Sequence, residues 1–301
     1  MKIISLVLLA MLMSCASDDK KDKVASSAGE PIKQETFTKQ KPLKNSEVAD
    51  YYAGNQASLN PALSDETIDR SSAEEIAQLA DTKDPLLEIS IRCARGDFKT
   101  AFTVASRSFD KYQRVAPYWN LIANCHLYQG YYRKALLFYN KAIEVKPDYV
   151  PALNNIGVMY SRQGLNQKAL VAFERANKAS KFAKTPRYNL AKLYLTYGMA
   201  ELARPIFMSL SAASEQDVDL LNAVAATHFL LGDYESALNS FDKIPKPHWS
   251  KAEIGLNIAV TLEKLGKSDE AEQVFSGIEK PKSAELSKYY ASVRKHLGET
   301  K

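Results

Sequence analysis

Six glycines recur along the chain at a constant interval of 34 residues: Gly96, Gly130, Gly164, Gly198, Gly232 and Gly266. Five residues beyond each glycine lies an alanine: Ala101, Ala135, Ala169, Ala203, Ala237 and Ala271. Four residues further on, five of the repeats carry an aromatic side chain: Tyr139, Phe173, Phe207, Phe241 and Phe275. A period of 34 residues is typical of an array of helix–turn–helix units. The sequence therefore predicts six such repeats over residues 82–285.

The side chains within each repeat indicate two helices that pack against each other. If the glycine stands at position 15, an A helix is expected over about positions 2–14 and a B helix over about positions 18–30. The glycine would end the A helix in a left-handed conformation, which a residue without a side chain adopts freely. The alanine at position 20 would let the two helices approach, and the aromatic residue lies one turn further on the same face. We therefore predict an all-α solenoid.

The second repeat resembles the tetratricopeptide repeat family most closely. The residues that fill the signature positions in order are Trp119, Ile122, Ala123, Gly130, Ala135, Tyr139, Ala142 and Pro147. The resemblance extends over about two-thirds of the chain. It implies a right-handed superhelical solenoid of about six repeats, with a concave groove lined by the A helices that binds proteins or peptides. In the fifth repeat, Pro245 and Pro247 predict an early end of the B helix.

Solenoids need polar ends, and both ends of this array offer a candidate helix. Residues 65–81 are predicted to form a short capping helix, with Ser72 and Glu75 as its capping box. At the other end, residues 286–301 are predicted to form a capping helix and tail. A helix begins there after Ser283, and its apolar face holds Leu286, Tyr290, Val293 and Leu297.

The first residues of the chain are typical of an export signal. An uncharged apolar run follows Lys2 and ends in Leu12, Met13, Ser14 and Cys15, which resembles the bacterial lipobox. The run is too short to span a bilayer as a helix. The resemblance implies that residues 1–14 are a lipoprotein signal peptide and that Cys15 carries acyl chains, such as palmitate, that hold the protein on a membrane. An ordinary secretory signal and an uncleaved anchor remain alternatives.

The residues after Cys15 indicate a sorting destination and a linker. Ala16 and Ser17 follow the cysteine, where an aspartate would retain a Gram-negative lipoprotein at the inner membrane. In a Gram-negative host the resemblance thus implies an outer-membrane lipoprotein whose repeats face the periplasm. Residues 15–64 contain few large apolar side chains and are predicted to be a flexible tether. Whether this tether binds anything, or is only a spacer, stays open.

Composition excludes some classes of partner. The chain is 46% hydrophobic and 25% charged, and its net charge of +5 is dispersed, without a basic stripe interleaved with aromatic residues. We therefore expect no binding to nucleic acid. Besides Cys15, the cysteines are Cys93 and Cys125, at packing positions of adjacent A helices. Two buried thiols are the expectation, with a disulfide as the alternative.

The sequence carries no catalytic signature. It lacks a metalloprotease HExxH, paired-cysteine metal spacing, a phosphate loop and a GxSxG elbow. His126 and His228 occupy a position that packs between helices, so we interpret them as core residues. We predict that the protein is not an enzyme and has no cofactor or metal.

The inner groove is the candidate binding site. Seven asparagines lie on the groove positions of the A helices, although asparagine is a poor helix former. With the neighbouring tyrosines and basic residues, the predicted peptide-binding set is Asn120, Asn124, Tyr128, Asn154, Asn155, Arg162, Tyr188, Asn189, Lys192, Asn222 and Asn257. Carboxamides can bind the backbone of an extended peptide. The alternative interpretation is that the asparagines bridge neighbouring helices.

These features predict a membrane-anchored periplasmic scaffold that binds proteins or peptides. The architecture resembles the pilotin lipoproteins of type IV and Tad pili, which implies assembly of an envelope machine such as a pilus or a secretin. An adaptor for peptidoglycan hydrolases or synthases is the alternative within the same class, since a long tether would let the array reach the cell wall. A ligand-sensing or enzymatic lipoprotein is the alternative from another class.

Overall fold

The computed structural model describes residues 77–212, 216–281 and 284–299. These ranges contain thirteen α-helices and one short 3-10 helix, and no β-strand. The helices are α1 (Pro85–Ala94), α2 (Phe98–Tyr112), α3 (Ala116–Tyr128), α4 (Tyr132–Val145), α5 (Val150–Arg162), α6 (Asn166–Ala179), α7 (Lys184–Thr196), α8 (Ala200–Ala212), α9 (Val218–Leu230), α10 (Tyr234–Phe241), α11 (Ala252–Lys264), α12 (Ser268–Ser276) and α13 (Ala284–Glu299). The 3-10 helix, Lys246–Ser250, lies between α10 and α11.

The helices form six antiparallel pairs and a terminal helix. Each A helix (α1, α3, α5, α7, α9 and α11) packs on the B helix that follows it, and each B helix also contacts the next A helix. Helix α13 packs on α11 and α12 and covers the last repeat. The predicted all-α repeat fold is confirmed.

The recurring glycines end the A helices. All six have a positive φ, between 70° and 81°, where other residues are strained. At Gly130 the turn closes with two hydrogen bonds: its own N–H donates to the carbonyl of Leu127, and the N–H of Tyr131 donates to the carbonyl of His126. These bonds satisfy carbonyls at the end of α3 that would otherwise lack a partner. The same pattern recurs at the other turns, which explains the period in the sequence.

Where the A and B helices cross, a small residue on one helix faces a large residue on the other. The six alanines at position 20 are all fully buried. Gly157 shows how tight the crossing is, because a Cβ atom there would lie 2.5 Å from the ring of Phe173. Position 8 of the A helix therefore has to be small wherever position 24 of the B helix is a large aromatic.

Cys93 and Cys125 form a disulfide that joins α1 to α3, with their Cα atoms 5.1 Å apart. The expectation of two buried thiols was wrong. The two cysteines lie on facing sides of adjacent A helices, at a separation within the range that a disulfide needs. Both are buried, so the bond ties the first repeat to the second inside the core.

The two ends of the array are closed differently. At the first repeat, the Arg95 guanidinium donates to the carbonyls of Ala77 and Leu79 and forms an ion pair of 2.6 Å with Asp81. The last repeat is covered by the apolar side of α13, whose buried side chains are Leu286, Tyr289, Val293 and Leu297. The expected Tyr290 is partly buried and contacts the ring of Phe275, and the neighbouring Tyr289, which was not expected, is fully buried.

The early end of the fifth B helix is confirmed, because α10 stops at Phe241. The 3-10 helix that follows contains Trp249, whose indole N–H donates to the carbonyl of Ile244 over 3.1 Å.

The signal peptide, Cys15, the tether and most of the 65–81 capping helix lie outside the described residues. Of the helices in the described ranges, none has the length and apolarity that a bilayer span requires.

Candidate functional site

The A helices form one face of the array, here called the inner face. Successive A helices α3, α5 and α7 contact one another directly, as do α9 and α11, whereas the B helices pack on the A helices of their own and the next repeat. All eleven residues predicted to bind a peptide lie on these five A helices. The fold thus brings the predicted set to one face, along the length of the array.

The asparagines bond to each other from one repeat to the next. Position 5 of one A helix accepts a hydrogen bond from position 6 of the following A helix. The pairs are Asn155 Nδ2 to Asn120 Oδ1 at 3.1 Å, Asn189 Nδ2 to Asn154 Oδ1 at 2.9 Å, and Asn257 Nδ2 to Asn222 Oδ1 at 3.3 Å. Asn155 also donates to Asn124 Oδ1 at 3.2 Å. The carboxamides therefore link adjacent A helices.

All seven asparagines, and Tyr188 with them, are buried. The expectation that they form an exposed row along a groove is corrected here, because the A helices pack so closely that positions 5 and 6 face each other. The alternative interpretation, that asparagines bridge neighbouring helices, describes their contacts. A ligand role for Asn120, Asn124, Asn154, Asn155, Tyr188, Asn189, Asn222 and Asn257 stays a prediction.

Three of the eleven predicted residues are accessible to a partner, and two of these three are basic. Arg162 is exposed, and Tyr128 and Lys192 are half-buried. Tyr128 and Arg162 occupy the same position in successive repeats, as the last residues of α3 and α5. These three residues are the part of the predicted site that a partner can reach directly.

The Tyr128 phenol belongs to a polar cluster in which α3, α4 and α5 meet. Tyr139 of α4 donates its hydroxyl hydrogen to Asn124 Oδ1 over 2.8 Å. Burial raises the pKa of Tyr128, and the positive charge of Arg162 opposes that shift. Burial also holds the pKa of Tyr139 well above its usual range, again opposed by Arg162. Both phenols therefore stay protonated, and the neutral Tyr128 phenol and the Arg162 guanidinium lie near each other on the inner face.

The histidine at the candidate site is a packing residue. His126 stacks on Phe102 at 4.8 Å and on Phe138 at 5.2 Å between ring centroids, and Phe138 also stacks on Trp119. Burial, and secondarily the charge of Lys134, lower the pKa of His126. Among the described residues, no group of His, Cys, Asp and Glu side chains has the geometry of a metal site.

The aromatic stack was not predicted. Its signal in the sequence is present but weak, because Phe102 and Phe138 come from B-helix positions that are not aromatic in every repeat.

Comparisons with known proteins agree with this architecture. Residues 116–149 match the family model described as tetratricopeptide repeat. No curated protein matches the chain significantly.

Several solved structures share the fold. The chain aligns with PilF of Pseudomonas aeruginosa at a TM-score of 0.60, with 15% identity over 74% of this chain and 100% of that one. It aligns with YrrB, described as a TPR protein with an unusual peptide-binding site, at a TM-score of 0.52, with 18% identity over 65% of this chain and 97% of that one. The APC/C hetero-tetramer Cut9-Hcn1 gives a TM-score of 0.57 and 18% identity over 75% of this chain, which spans 45% of the matched chain.

Proposed function

We propose that the protein is a non-enzymatic scaffold that binds a peptide or protein segment on its inner face, at Tyr128, Arg162 and Lys192. The observation that carries the proposal is the position of Tyr128 and Arg162 at the ends of adjacent A helices, where Arg162 is exposed and Tyr128 is half-buried. The tetratricopeptide repeat match at residues 116–149 supports it. The fold shared with YrrB is consistent with it.

The chemistry of the site favours a segment that carries acidic side chains or exposed backbone carbonyls. Arg162 is always cationic and offers a planar set of donors that matches a carboxylate. The neutral phenol of Tyr128 adds a donor and an apolar ring, a combination that is frequent among residues that dominate binding energy. Lys192, on α7, extends the positive charge to the next repeat.

The test is an affinity capture from cross-linked cells. The double variant Tyr128→Ala with Arg162→Ala should lose its partner, with a loss of more than about 2 kcal/mol in binding free energy, while circular dichroism shows a folded chain. The matched control is Phe109→Ala with Arg107→Ala, an exposed aromatic residue and an exposed arginine on the B helix α2. If both double variants capture the same partner as the unmodified chain does, the inner face is not the binding site.

We also propose that Cys15 is acylated and that the array faces an oxidising compartment. The lipobox-like run before Cys15 supports the first part. The disulfide between Cys93 and Cys125 supports the second, because such bonds persist in secreted and periplasmic proteins. The proposed location is the outer membrane of a Gram-negative host, with the array in the periplasm.

Labelling with a clickable fatty acid tests the anchor. The unmodified chain should take up the label and sediment with membranes, and Cys15→Ser should do neither. Equal labelling of both proteins would contradict the proposed acylation.

Within the envelope, we propose assembly of a machine such as a pilus or a secretin as the role of the scaffold. An adaptor for peptidoglycan hydrolases or synthases is the second candidate. Mass spectrometry of the captured partner discriminates the two roles. A pilus or secretin component would support the assembly role, and a cell-wall enzyme would support the adaptor role instead.

A further inference from the structure

The outer side of three B helices carries exposed apolar side chains at one repeated position. Position 22 is Leu137 on α4, Val171 on α6 and Pro205 on α8, and all three are exposed. The corresponding residues of the other repeats are polar: Thr103, Asn239 and Gln273. The apolar character is therefore confined to the middle of the array.

These side chains are exposed to an unusual degree. Leu137 is 63% exposed and Val171 57% exposed, and on α8 Leu202 and Met208 add two further side chains that are about half exposed. Apolar residues scattered singly over a surface need no explanation, but a set repeated at one position of successive B helices marks an interaction surface. We call the exposed residues of α4, α6 and α8 the outer patch.

The outer patch is also basic. Helices α4, α6 and α8 contain seven Lys or Arg residues and three Asp or Glu residues, a net charge of +4. Helices α10 and α12, the B helices of the last two repeats, contain four Asp or Glu residues and no Lys or Arg, a net charge of −4. Helix α2 of the first repeat has a net charge of +2, so the first four B helices together are positive, and they include the three that carry the apolar side chains.

Within the patch, basic residues lie one helical turn from the apolar ones. Leu137 lies between Arg133 and Lys141, and Val171 is followed by Arg175 at the same spacing of four residues. Long basic side chains next to short aliphatic ones are typical of surfaces that rest on a bilayer, where the aliphatic groups enter the headgroup boundary and the charges reach the phosphates.

The loop that follows α6 has the same character. It contains Lys181, Phe182 and Ala183, followed by Lys184 at the start of α7, and Phe182 is 91% exposed. Aromatic side chains beside lysines are enriched at the membrane–water interface.

We propose that the outer patch docks on an anionic phospholipid bilayer. The charge is complementary to a surface of phosphatidylglycerol, and each basic residue near such a surface strengthens binding about fivefold. In this orientation the B helices lie on the membrane, and the inner face with Tyr128 and Arg162 points away from it, accessible to a partner. The proposal does not depend on what the inner face binds.

Photo-cross-linking of the full chain to lipid tests this orientation. The chain is reconstituted with vesicles of phosphatidylcholine that contain a photoactivatable phosphatidylglycerol, and cross-linked peptides are mapped by mass spectrometry. The readout is the share of cross-links on α4, α6 and the loop after α6. Attachment through the N-terminal residues is common to all variants, so it does not affect this share.

The expected result is a concentration of cross-links on those segments, lost at high salt. Arg133→Glu with Arg175→Glu should lower their share at least about tenfold. The matched control, Lys99→Glu with Arg107→Glu, makes the same charge change on α2, at equivalent repeat positions without an apolar neighbour at Thr103. It should leave the share unchanged.

The proposal is overturned if no cross-links form on α4 and α6, or if their share decreases equally in the test and control variants. If the outer patch does not contact lipid, an acidic protein surface becomes its expected occupant.

Discussion

Loss of the disulfide between Cys93 and Cys125 should detach the first repeat while the rest of the array stays folded. The bond closes a loop with a sequence separation of 32 residues. The chain-entropy relation for a loop of this length gives a stabilisation of about 3.7 kcal/mol. Helix α1 packs on α2 and α3 through buried side chains such as Leu86 and Ile89, but the first repeat is joined to only one other repeat. We therefore expect the bond to contribute a large part of what holds α1 and α2 in place.

Two independent perturbations measure this contribution. One is the double variant Cys93→Ala with Cys125→Ala, and the other is the unmodified chain under a reducing agent. Urea unfolding followed by circular dichroism should show an early transition for the first repeat in both cases. Hydrogen exchange should be faster in α1 and α2 and unchanged in α9 to α12.

The reasoning fails if the oxidised and reduced chains unfold at the same urea concentration with equal protection of α1. It also fails if mass spectrometry of the chain purified from its native compartment finds two free thiols. A loss of protection spread evenly over all repeats would mean that the array unfolds as one unit and that nearest-neighbour coupling is the wrong description.

Three further predictions concern the packing of the array. Ala169→Trp should destabilise the array by about 1–3 kcal/mol or more in a thermal melt, because this fully buried alanine lies at a helix crossing. An unchanged midpoint of the thermal unfolding transition would show that the assignment of repeat positions is wrong. Asn155→Ala should cost about 1–3 kcal/mol in urea unfolding, because it takes the Asn155 donor from the buried Asn120 Oδ1 and leaves Asn124 Oδ1 with the Tyr139 hydroxyl alone. The exposed Asn140→Ala should cost almost nothing, and equal effects would refute a structural role for the asparagine bonds. Hydrogen bonding and charge from Arg95 lower the pKa of Asp81 below its ordinary value of 3.8. The stabilising ion pair is therefore present above that pH and is lost as the pH falls further. Limited proteolysis near residue 81 should accelerate on acidification, and a rate that is independent of pH would contradict this.

The helical repeat could be predicted from the sequence because its signals are local. The left-handed glycine, the small residue at position 20 and the large residue at position 24 each act within one helix pair. The same steric requirement recurs in every pair, so it appears in the sequence as a period. The early end of α10 is equally local, because Pro245 and Pro247 cannot continue a helix.

Contacts between repeats were harder to predict, because they depend on how closely successive A helices approach. The repeat pattern does not encode that distance. The asparagines at positions 5 and 6 are therefore buried and bonded to each other, where exposure had been expected. The same approach of α1 to α3 brings Cys93 to Cys125. At the last repeat, both Tyr289 and Tyr290 pack on the array, and the apolar pattern of α13 indicated Tyr290 alone because it does not show how wide the buried face is.

The most direct test of the central claim is site-specific photo-cross-linking in living cells. A photoreactive phenylalanine analogue replaces Tyr128 on the inner face or, as the control, Tyr132 at the start of α4. The account predicts a discrete cross-linked protein from position 128 that is absent from position 132 and disappears when Arg162→Glu is added. Identical products from both positions, or a product from position 128 that persists with Arg162→Glu, would contradict binding at the inner face.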